Sequence, residues 1–548
     1  MPTTTTTTVT VDTFLAQVLQ SVLPHDQPAA RPTDLITAPA AEAITPAAPG
    51  PAAPAPAAPT AARTAQTPDE RARDFLQLLG LLLCNLDYAK RDVGTASGNT
   101  DGNGKPDAKR QEYFVDKKTF ADLLERVNQL ISLQLNEVFH QEALRDLEGK
   151  WRAIADLVEV TNFDANIGIS LLDATKDEIG EDMSSNGADI AASELFKKVY
   201  TAEYDQLGGE PYAALIGLYD FDNDYDDRKF LEGMASLCKY SHAPFIASVG
   251  PSVFGIEDMS HLMEVRDFSA ALDESWSALR KKEEFAYVGL TLPRYIARRP
   301  YKESDKAGGV VRFKEQPPSP EHEPRRYVWA SSAMLFARNL VRSFEGSGWC
   351  QYIRGVKAGG YLDNLARIVL EGGDDGLRPP LEVVTRPPLE VVIPDYGEFA
   401  LASAGFIPLV HKKGTTDAVF FSSQAIKCPS DGTDPHISEN SQLTCNLAYT
   451  FSISRLAHYL KRMMRNNVGS SADANYVKGQ IDAWISRYVT TIVNPDDLTL
   501  RHYPFKAYTL TVVPVDGKAG WYDCNLTVQP HIQFEGMDVT LRVDARLA

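Results

Sequence analysis

The spacing of apolar residues changes along the chain from a helical pattern to short continuous runs. Residues 69–89 and 118–160 carry apolar side chains every three to four positions, which predicts helices. Beyond residue 162, apolar runs alternate with helical stretches. The runs predicted as strands are 167–172, 213–219, 244–249 and 285–292, and the helices between them are 194–200 and 228–240. This alternation predicts an α/β (α+β mixed) fold whose sheet is covered by helices on both faces.

The last third of the chain is first helical and then β-prone, after a polar, proline-bearing surface excursion at 298–326. Helical spacing covers 329–344, 440–464 and 474–492, and the β-prone segments are 505–514, 520–530 and 537–547, with Asp516-Gly517 as a hairpin turn. A hairpin with one more strand is marginally stable by itself and presents open edges. Those edges either take strands from other chains or close within the chain on residues near Ile393 or Phe420.

The amino-terminal region predicts a short amphipathic helix on a long tether. Residues 12–23 place an apolar stripe on one helical face, between a capping Asp12 or Thr13 and Pro24. The stripe consists of Phe14, Leu15, Val18, Leu19 and Val22. Ala and Pro dominate residues 28–67, a composition that favours an extended linker without a core of its own. The helix therefore either folds back onto the body or binds a partner in a helix-in-groove manner.

Bulk composition narrows the class of protein. A length of 548 residues predicts two or three domains, and 44% hydrophobic residues suffice for buried cores. The net charge of −18 argues against nonspecific binding to nucleic acid, which requires a basic face. No secretion signal is recognisable, and the longest apolar run, 76–86, is about half the ~20 residues that a membrane span needs. These features predict a cytoplasmic protein without a membrane span.

Candidate chemistry is sparse. Asp220-Phe-Asp-Asn-Asp224 resembles the start of a calcium loop, but Tyr225 and Leu231 occupy the positions that require glycine and glutamate. We therefore expect an acidic strand-to-helix turn with Asp226 or Asp227 as the cap. The six cysteines and ten histidines show no metal-ligand spacing, and no nucleotide-binding or nucleophile motif is present. The sequence predicts no catalytic residue, cofactor or metal; the alternative is a cytosolic enzyme whose site converges in three dimensions.

One predicted helix is basic within an acidic protein. It carries Arg455, His458, Lys461, Arg462 and Arg465. Lys461 and Arg465 are four residues apart and therefore share a helical face. Such a face is either solvated, paired with acidic groups of the same chain, or a contact surface for an acidic partner.

Five separated sequence blocks resemble a single family. The most informative is 349–360, whose glycines suit either a phosphate cradle or a tight packing corner. A phosphate loop also requires Gly-Lys-Ser/Thr, which does not follow. The other blocks are 147–152 with Leu157-Val158, 287–294, 405–409, and 517–522 with 530–539. Together these blocks resemble the large subunit of the type VI secretion contractile sheath, the TssC/VipB family, over roughly residues 68–548.

The resemblance implies a structural protein with a contractile tail-sheath-like fold. It implies partners too: a small sheath subunit (TssB/VipA-like), neighbouring copies of the chain, the Hcp inner tube, a ClpV-type AAA+ ATPase and baseplate proteins. The alternative within the same class is a phage-type tail sheath that works without a small subunit. A disassembly helix on a tether argues against that alternative, because a sheath used once needs no such handle.

The resemblance also assigns candidate binding residues. The unfoldase would recognise the stripe of residues 12–23. The inner tube would contact Arg455, Lys461, Arg462 and Arg465. The intersubunit strands would contain Tyr508, Leu510, Val512, Leu526, Val528, Val539, Leu541 and Val543, in a carboxy-terminal β-hairpin plus strand that pairs with strands of other subunits.

The expected domain organisation has five parts. They are the helix and linker (1–67), a helical region contacting the small subunit (68–160), an α/β sheath domain (161–328), a second sheath domain with tube-facing helices (329–500), and the interlocking strands (501–548).

Overall fold

A computed structural model describes most of the chain from residue 117 onwards. The described residues are 117–185, 189–302, 313–315, 327–366, 368–369, 385–429, 441–467, 473–490, 492, 495–515, 522–531 and 541–546. The predicted helices at 12–23 and 69–89, Val539 and the turn at Asp516-Gly517 lie outside these residues. The chain divides into two compact units, residues 1–129 and 130–548.

Helices and strands alternate through the second unit. The helices that build the fold are α1 (Lys117–Phe139), α2 (Glu142–Val160), α3 (Lys176–Ser185), α4 (Glu194–Phe196), α5 (Tyr225–Ser241), α6 (Phe268–Ala271), α7 (Glu274–Leu279), α8 (Ser332–Ser347), α9 (Asp395–Ser403), α10 (Leu447–Asn466), α11 (Ala474–Ile485) and α12 (Asp497–His502). A π-helix, Lys197–Tyr204, continues α4, and a 3-10 helix, Glu283–Tyr287, precedes the third strand.

The strands form one large and three small sheets. They are β1 (Leu215–Phe221), β2 (Phe245–Val249), β3 (Val288–Leu292), β4 (Tyr295–Arg298), β5 (Val328–Ala330), β6 (Tyr361–Leu362), β7 (Ile368–Val369), β8 (Thr385–Arg386), β9 (Ile407–His411), β10 (Ala418–Phe420), β11 (Phe505–Pro514), β12 (Tyr522–Pro530) and β13 (Leu541–Arg546). The large sheet has the order β1-β2-β3-β9-β10-β6. β1, β2, β3 and β9 are parallel to one another, and β10 is antiparallel to both of its neighbours, β9 and β6.

Both faces of the large sheet are buried. In β2, Phe245, Ala247 and Val249 point into a core with α5, while Ile246 points into a second core with α8 and the start of α10. Alternating side chains thus serve two cores, which explains why β2 and β3 are buried at every position and largely apolar in sequence. The predicted mixed α/β fold with a doubly covered sheet is confirmed.

Two strand predictions are wrong. Residues 167–172 form no strand, although their sequence is strongly β-prone; the described chain runs there as irregular backbone between Asn166 and Thr175. Residues 285–287 belong to the 3-10 helix, so β3 begins only at Val288. The helix predicted from Trp329 begins at Ser332, because Ser331 caps α8 by accepting a hydrogen bond from the Ala333 backbone N–H.

The acidic turn after β1 is confirmed, but the predicted cap residue is wrong. Asp224 caps α5 by accepting a hydrogen bond from Asp227 N at 2.7 Å. The Asp227 carboxylate is buried, accepts from Asp222 N and pairs with Lys176 Nζ at 2.6 Å. These carboxylates therefore satisfy their own turn, as capping groups do.

An ion network holds α2 against the strands. Arg298 contacts Glu148 at 2.6 Å and Glu315 at 2.7 Å, so two residues of the predicted surface excursion are in fact buried. Burial alone would raise the pKa of Glu148, but hydrogen bonds from Arg298 and Arg152 lower it below its usual value. At Gly149 a Cβ atom would overlap the Trp329 carbonyl oxygen, so α2 lies directly on β5.

The glycines of the 349–360 block form a packing corner. Gly355 N donates to Phe420 O at 2.7 Å, and Phe420 N donates to Gly360 O at 3.0 Å. Gly359 has φ +93°, and a Cβ atom there would overlap the Tyr352 carbonyl oxygen. Of the two interpretations of these glycines, the structure supports the tight corner, which joins α8 to the large sheet.

Candidate assembly surfaces

The carboxy-terminal strands form an antiparallel sheet in the order β11-β12-β13. Leu510 is paired with Leu526, and Val528 with Leu541; the register of β11 shifts once, between Phe505 and Ala507. The β-prone segments were thus predicted correctly, and β11 has the predicted bounds. Val543 is the register partner of Leu526.

One face of this sheet rests on helices of the same chain. Leu510, Leu526 and Val528 are buried, and Tyr508 and Val512 pack against the same cluster. The helical side of that core is Leu456, Leu460, Val477, Ile481 and Ile485, from α10 and α11. Five predicted intersubunit side chains therefore stabilise their own domain, so only backbone edges and the outer face are left for another chain. Tyr508, Leu510 and Val512 alternate with threonines in the sequence, which indicates one buried face but not the elements that cover it.

Both borders of the carboxy-terminal sheet are open within the described residues. β11 and β13 each pair with β12 and with no other described strand. Among these residues, the start of β11 is covered, where Thr490 N donates to Phe505 O at 3.0 Å. Closure on Ile393 or Phe420 is wrong, because Ile393 lies in the α5 core and Phe420 belongs to β10.

Three of the four predicted tube-contacting cations bind groups of the same chain. Lys461 Nζ lies 2.7 Å from Asp205 and 4.0 Å from the centre of the Tyr204 ring. Arg465 donates to the carbonyl oxygens of Tyr204 and Gln206, at 2.9 and 2.8 Å. Arg455 lies over aromatic rings, those of Phe344, Trp349 and Tyr459. Arg462 alone of the four is exposed.

These contacts make a joint between α10 and the π-helix, which we call the basic joint and define as Asp205, His458, Lys461 and Arg465. His458 Nε2 also lies 2.9 Å from the carbonyl oxygen of Ser241, at the end of α5. Sequence spacing placed Lys461 and Arg465 on one face correctly. The acidic partner, more than 250 residues away in the chain, is visible only in the structure.

Breaking the basic joint is expected to destabilise the isolated chain. Asp205 is half exposed, so solvent screens its pair with Lys461, and a coupling of about 1 kcal/mol is expected. Lys461→Met, Asp205→Asn and the double variant should reveal it as a double-mutant cycle in urea unfolding. The exchange variant Asp205→Lys with Lys461→Asp should recover part of the lost stability. Strictly additive single effects would contradict the joint.

His458 of the basic joint and the neighbouring His242 are expected to make the fold acid-sensitive. Burial lowers the pKa of His242 to about 4, with smaller contributions from His458 and Lys461. Burial also lowers the pKa of His458 to about 4, together with Arg455 and Lys461, although its hydrogen bond to the Ser241 carbonyl oxygen raises that pKa in part. In the unfolded chain both histidines titrate near pH 6.5. Between about pH 6.5 and 4 the unfolded chain therefore binds more protons than the folded chain, so the stability decreases as the pH is lowered. The expected loss is about 1.4 kcal/mol per pH unit for each histidine.

Urea unfolding at pH 7, 5.5 and 4.5 measures this loss. His458→Gln keeps an N–H donor for Ser241 and removes one titrating group, so its stability should fall less steeply with acid than that of the wild type. Parallel pH profiles for the two proteins would refute the assignment to His458.

A second candidate surface is apolar and lies on the first two helices. Of the 24 exposed large apolar side chains among the described residues, ten lie between residues 130 and 172. On α2, Leu147, Trp151 and Val158 share one exposed face, while Gly149, Ala153 and Leu157 on the opposite face are buried. A concentration of this kind marks an interaction surface rather than scattered exposure. The helical region 68–160 was assigned to the small subunit from the resemblance; its apolar face was not predicted.

Within the described residues, no group of three or more His, Cys, Asp or Glu side chains is arranged to hold a metal ion. No helix among these residues is both long and apolar enough to cross a bilayer.

Known proteins match nearly the whole described chain. Residues 121–427 match the family VipB, described as the EvpB/VC_A0108 tail sheath N-terminal domain, and residues 436–547 match the tail sheath gpW/gp25-like domain of the same family. The type VI secretion system sheath protein TssC1 of Pseudomonas aeruginosa is 34% identical over 438 residues, covering 78% of this chain and 86% of that protein.

Two solved structures are distantly similar. A chain of the anti-feeding prophage baseplate has a TM-score of 0.32 at 12% identity, covering 70% of this chain and 80% of that one. A sheath tail protein from Desulfitobacterium hafniense has a TM-score of 0.26 at 10% identity, covering 58% and 60%. Superpositions this weak support no conclusion about this chain.

The two family matches and the 34% identical relative define a tail sheath protein. More narrowly, the chain belongs to the VipB family, the large-subunit family of the type VI secretion sheath, and its role is that of a structural component of a contractile sheath. The basic joint connects the two matched domains, since Asp205 lies in the first and Lys461 in the second.

Proposed function

We propose that this chain co-assembles with a small sheath subunit and with its own copies into a cytoplasmic helical tube, which encloses an Hcp-type inner tube and contracts to drive that tube outward. The observation that carries the proposal is the carboxy-terminal sheet, which packs on helices and whose two borders are open among the described residues. Open edges of this kind accept strands from other chains. Ladder bonds between subunits would then carry load while the globular bodies reorient.

The apolar face of α2 is the proposed contact for the small sheath subunit. Leu147, Trp151 and Val158 would be covered permanently, because an obligate interface is more apolar than a transient one. The role is mechanical rather than enzymatic: energy would be stored at subunit interfaces during assembly and released by their rearrangement.

The remaining proposed partners are the inner tube, the baseplate proteins and the ATPase. On α10, exposed Arg462 is the residue that fits an inner-tube contact, whereas Arg455, Lys461 and Arg465 serve their own chain. The ends of the tube would meet baseplate proteins. The stripe of residues 12–23 would bind a ClpV-type ATPase that dismantles contracted sheaths.

Co-expression with the small sheath subunit tests the assembly. Negative-stain electron microscopy should show hollow tubes when both proteins are present and none with either alone. Tubes formed by this chain alone would favour a phage-type sheath, and soluble monomers under every co-expression condition would refute the sheath function.

The unfoldase contact is tested on assembled tubes. Leu15→Asp with Leu19→Asp should abolish binding of the ClpV-type ATPase and leave tube yield unchanged, because the two substitutions place charges on the apolar stripe. Failed tube assembly would instead mean that the stripe docks onto the body.

A further inference from the structure

Residues 167–172 combine a strand sequence with a non-strand structure. Their sequence, Ile-Gly-Ile-Ser-Leu-Leu, is β-prone, yet no backbone–backbone hydrogen bond joins residues 166–174 to the described chain. Leu171 and Leu172 are 60% and 54% exposed. Apolar segments with a strand-like sequence are normally buried or paired with another strand. A segment of this kind that is unpaired in the described chain therefore indicates a partner on another chain.

The segment is held in place beside the border of the large sheet. Ile169 packs against the core that contains α8, and the Ala174 carbonyl oxygen accepts a hydrogen bond from the Tyr219 hydroxyl of β1. Lys176 Nζ donates to Asp220 O at 3.3 Å. β1 itself pairs with β2 and with no other described strand. The segment is therefore already held at Ile169 and just beyond its carboxyl end, which lowers the entropy that a new strand pairing must overcome.

We propose that residues 167–172 become a β-strand on assembly, by pairing with a strand of the small sheath subunit. This inference rests on the proposed co-assembly and adds a backbone-mediated contact to it. The occupant follows from continuity: the exposed apolar residues run from α2 through Phe163, 49% exposed, to Leu171 and Leu172. One partner that covers the α2 face would reach the segment next.

Residue-resolved hydrogen exchange tests the pairing on full-length protein. In the complex with the small subunit, every second amide of residues 167–172 should exchange at least tenfold more slowly than in the free chain, because successive N–H groups of a strand point to opposite sides. Side-chain contact without a ladder would not produce this alternation.

Each of the other outcomes would contradict the pairing of residues 167–172 with the small subunit and would leave the proposed co-assembly unaffected. A stable complex in which these amides stay unprotected leaves the α2 contact standing and removes the pairing. Protection already present in the dilute free chain would mean a partner segment in the same chain. Protection that rises with concentration, without the small subunit, would mean a second copy.

Proline substitution gives an independent readout. Ser170→Pro and Leu171→Pro remove adjacent N–H groups, one of which belongs to the expected ladder. At least one of the two should weaken binding of the small subunit more than tenfold, with the thermal midpoint of the free chain unchanged. The matched controls, Ser170→Ala and Leu171→Ala, separate backbone from side-chain effects. Equal losses in a proline variant and its alanine control would overturn the backbone pairing.

Discussion

Trp151→Asp is expected to prevent this chain from binding the small sheath subunit. Trp151 is 57% exposed and lies between Leu147 and Val158 on the outer face of α2. Truncating a buried aromatic anchor costs about 2–4 kcal/mol, and a carboxylate placed in an apolar interface adds the penalty of burying a charge. Affinity measured by titration calorimetry should therefore fall by more than a hundredfold. Tubes should be absent as well.

The chain offers a matched control for this substitution. Tyr225 is 65% exposed at the first turn of α5, far along the chain from the apolar face, and an aspartate is favourable at a helix start. Tyr225→Asp should bind the small subunit with wild-type affinity. Both variants should keep the wild-type thermal midpoint. Equal binding by the two variants would remove α2 from the interface.

The elements predicted well from sequence are those whose pattern reflects burial inside one domain. β2 and β3 are buried at every position because their two faces serve two cores, and their largely apolar sequences show this without knowledge of the neighbouring elements. The helices α5 and α8 were predicted for the same reason. The cap of α5 was misplaced because three acidic residues, Asp224, Asp226 and Asp227, compete for it within one turn.

What sequence left undecided depends on contacts between distant segments. Lys461 was predicted on a basic face, but its choice between solvent, its own chain and a partner depends on where Asp205 lies in space. The carboxy-terminal strands were predicted as an isolated layer, since nothing local announces that α10 and α11 form their base. At residues 167–172 the sequence predicts a strand, whereas the single chain has irregular backbone there. Such a difference is expected where another chain completes the structure.

The base and the basic joint together suggest how load would pass through one subunit. Strands of the carboxy-terminal sheet rest on α10, and α10 is tied to the first sheath domain through Asp205 and Ser241. A pull on the sheet edge would therefore reach the large sheet through packed side chains and hydrogen bonds instead of through a linker. A sheath subunit that moves as one body needs such a connection.

Blocking the free border of β11 is expected to stop tube formation while leaving the subunit folded. Thr511 and Val512 are adjacent, so one N–H points to β12 and the other to the open border. Proline at the ladder position should cost about 1–3 kcal/mol of unfolding free energy, because it removes a ladder hydrogen bond and leaves the partner carbonyl unsatisfied, whereas proline at an edge position is tolerated. Urea unfolding of Thr511→Pro and Val512→Pro shows which substitution removes the N–H that bonds to β12 and which removes the N–H at the open border.

The variant that stays folded carries the test. It should bind the small subunit with unchanged affinity, because α2 is untouched, yet yield less than a tenth of the wild-type tubes by sedimentation and electron microscopy. Thr511→Ala and Val512→Ala are the matched controls and should assemble normally, since they keep both N–H groups. Normal tubes from the folded proline variant would mean that β11 receives no strand, and the intersubunit pairing would then have to lie on the β13 border alone.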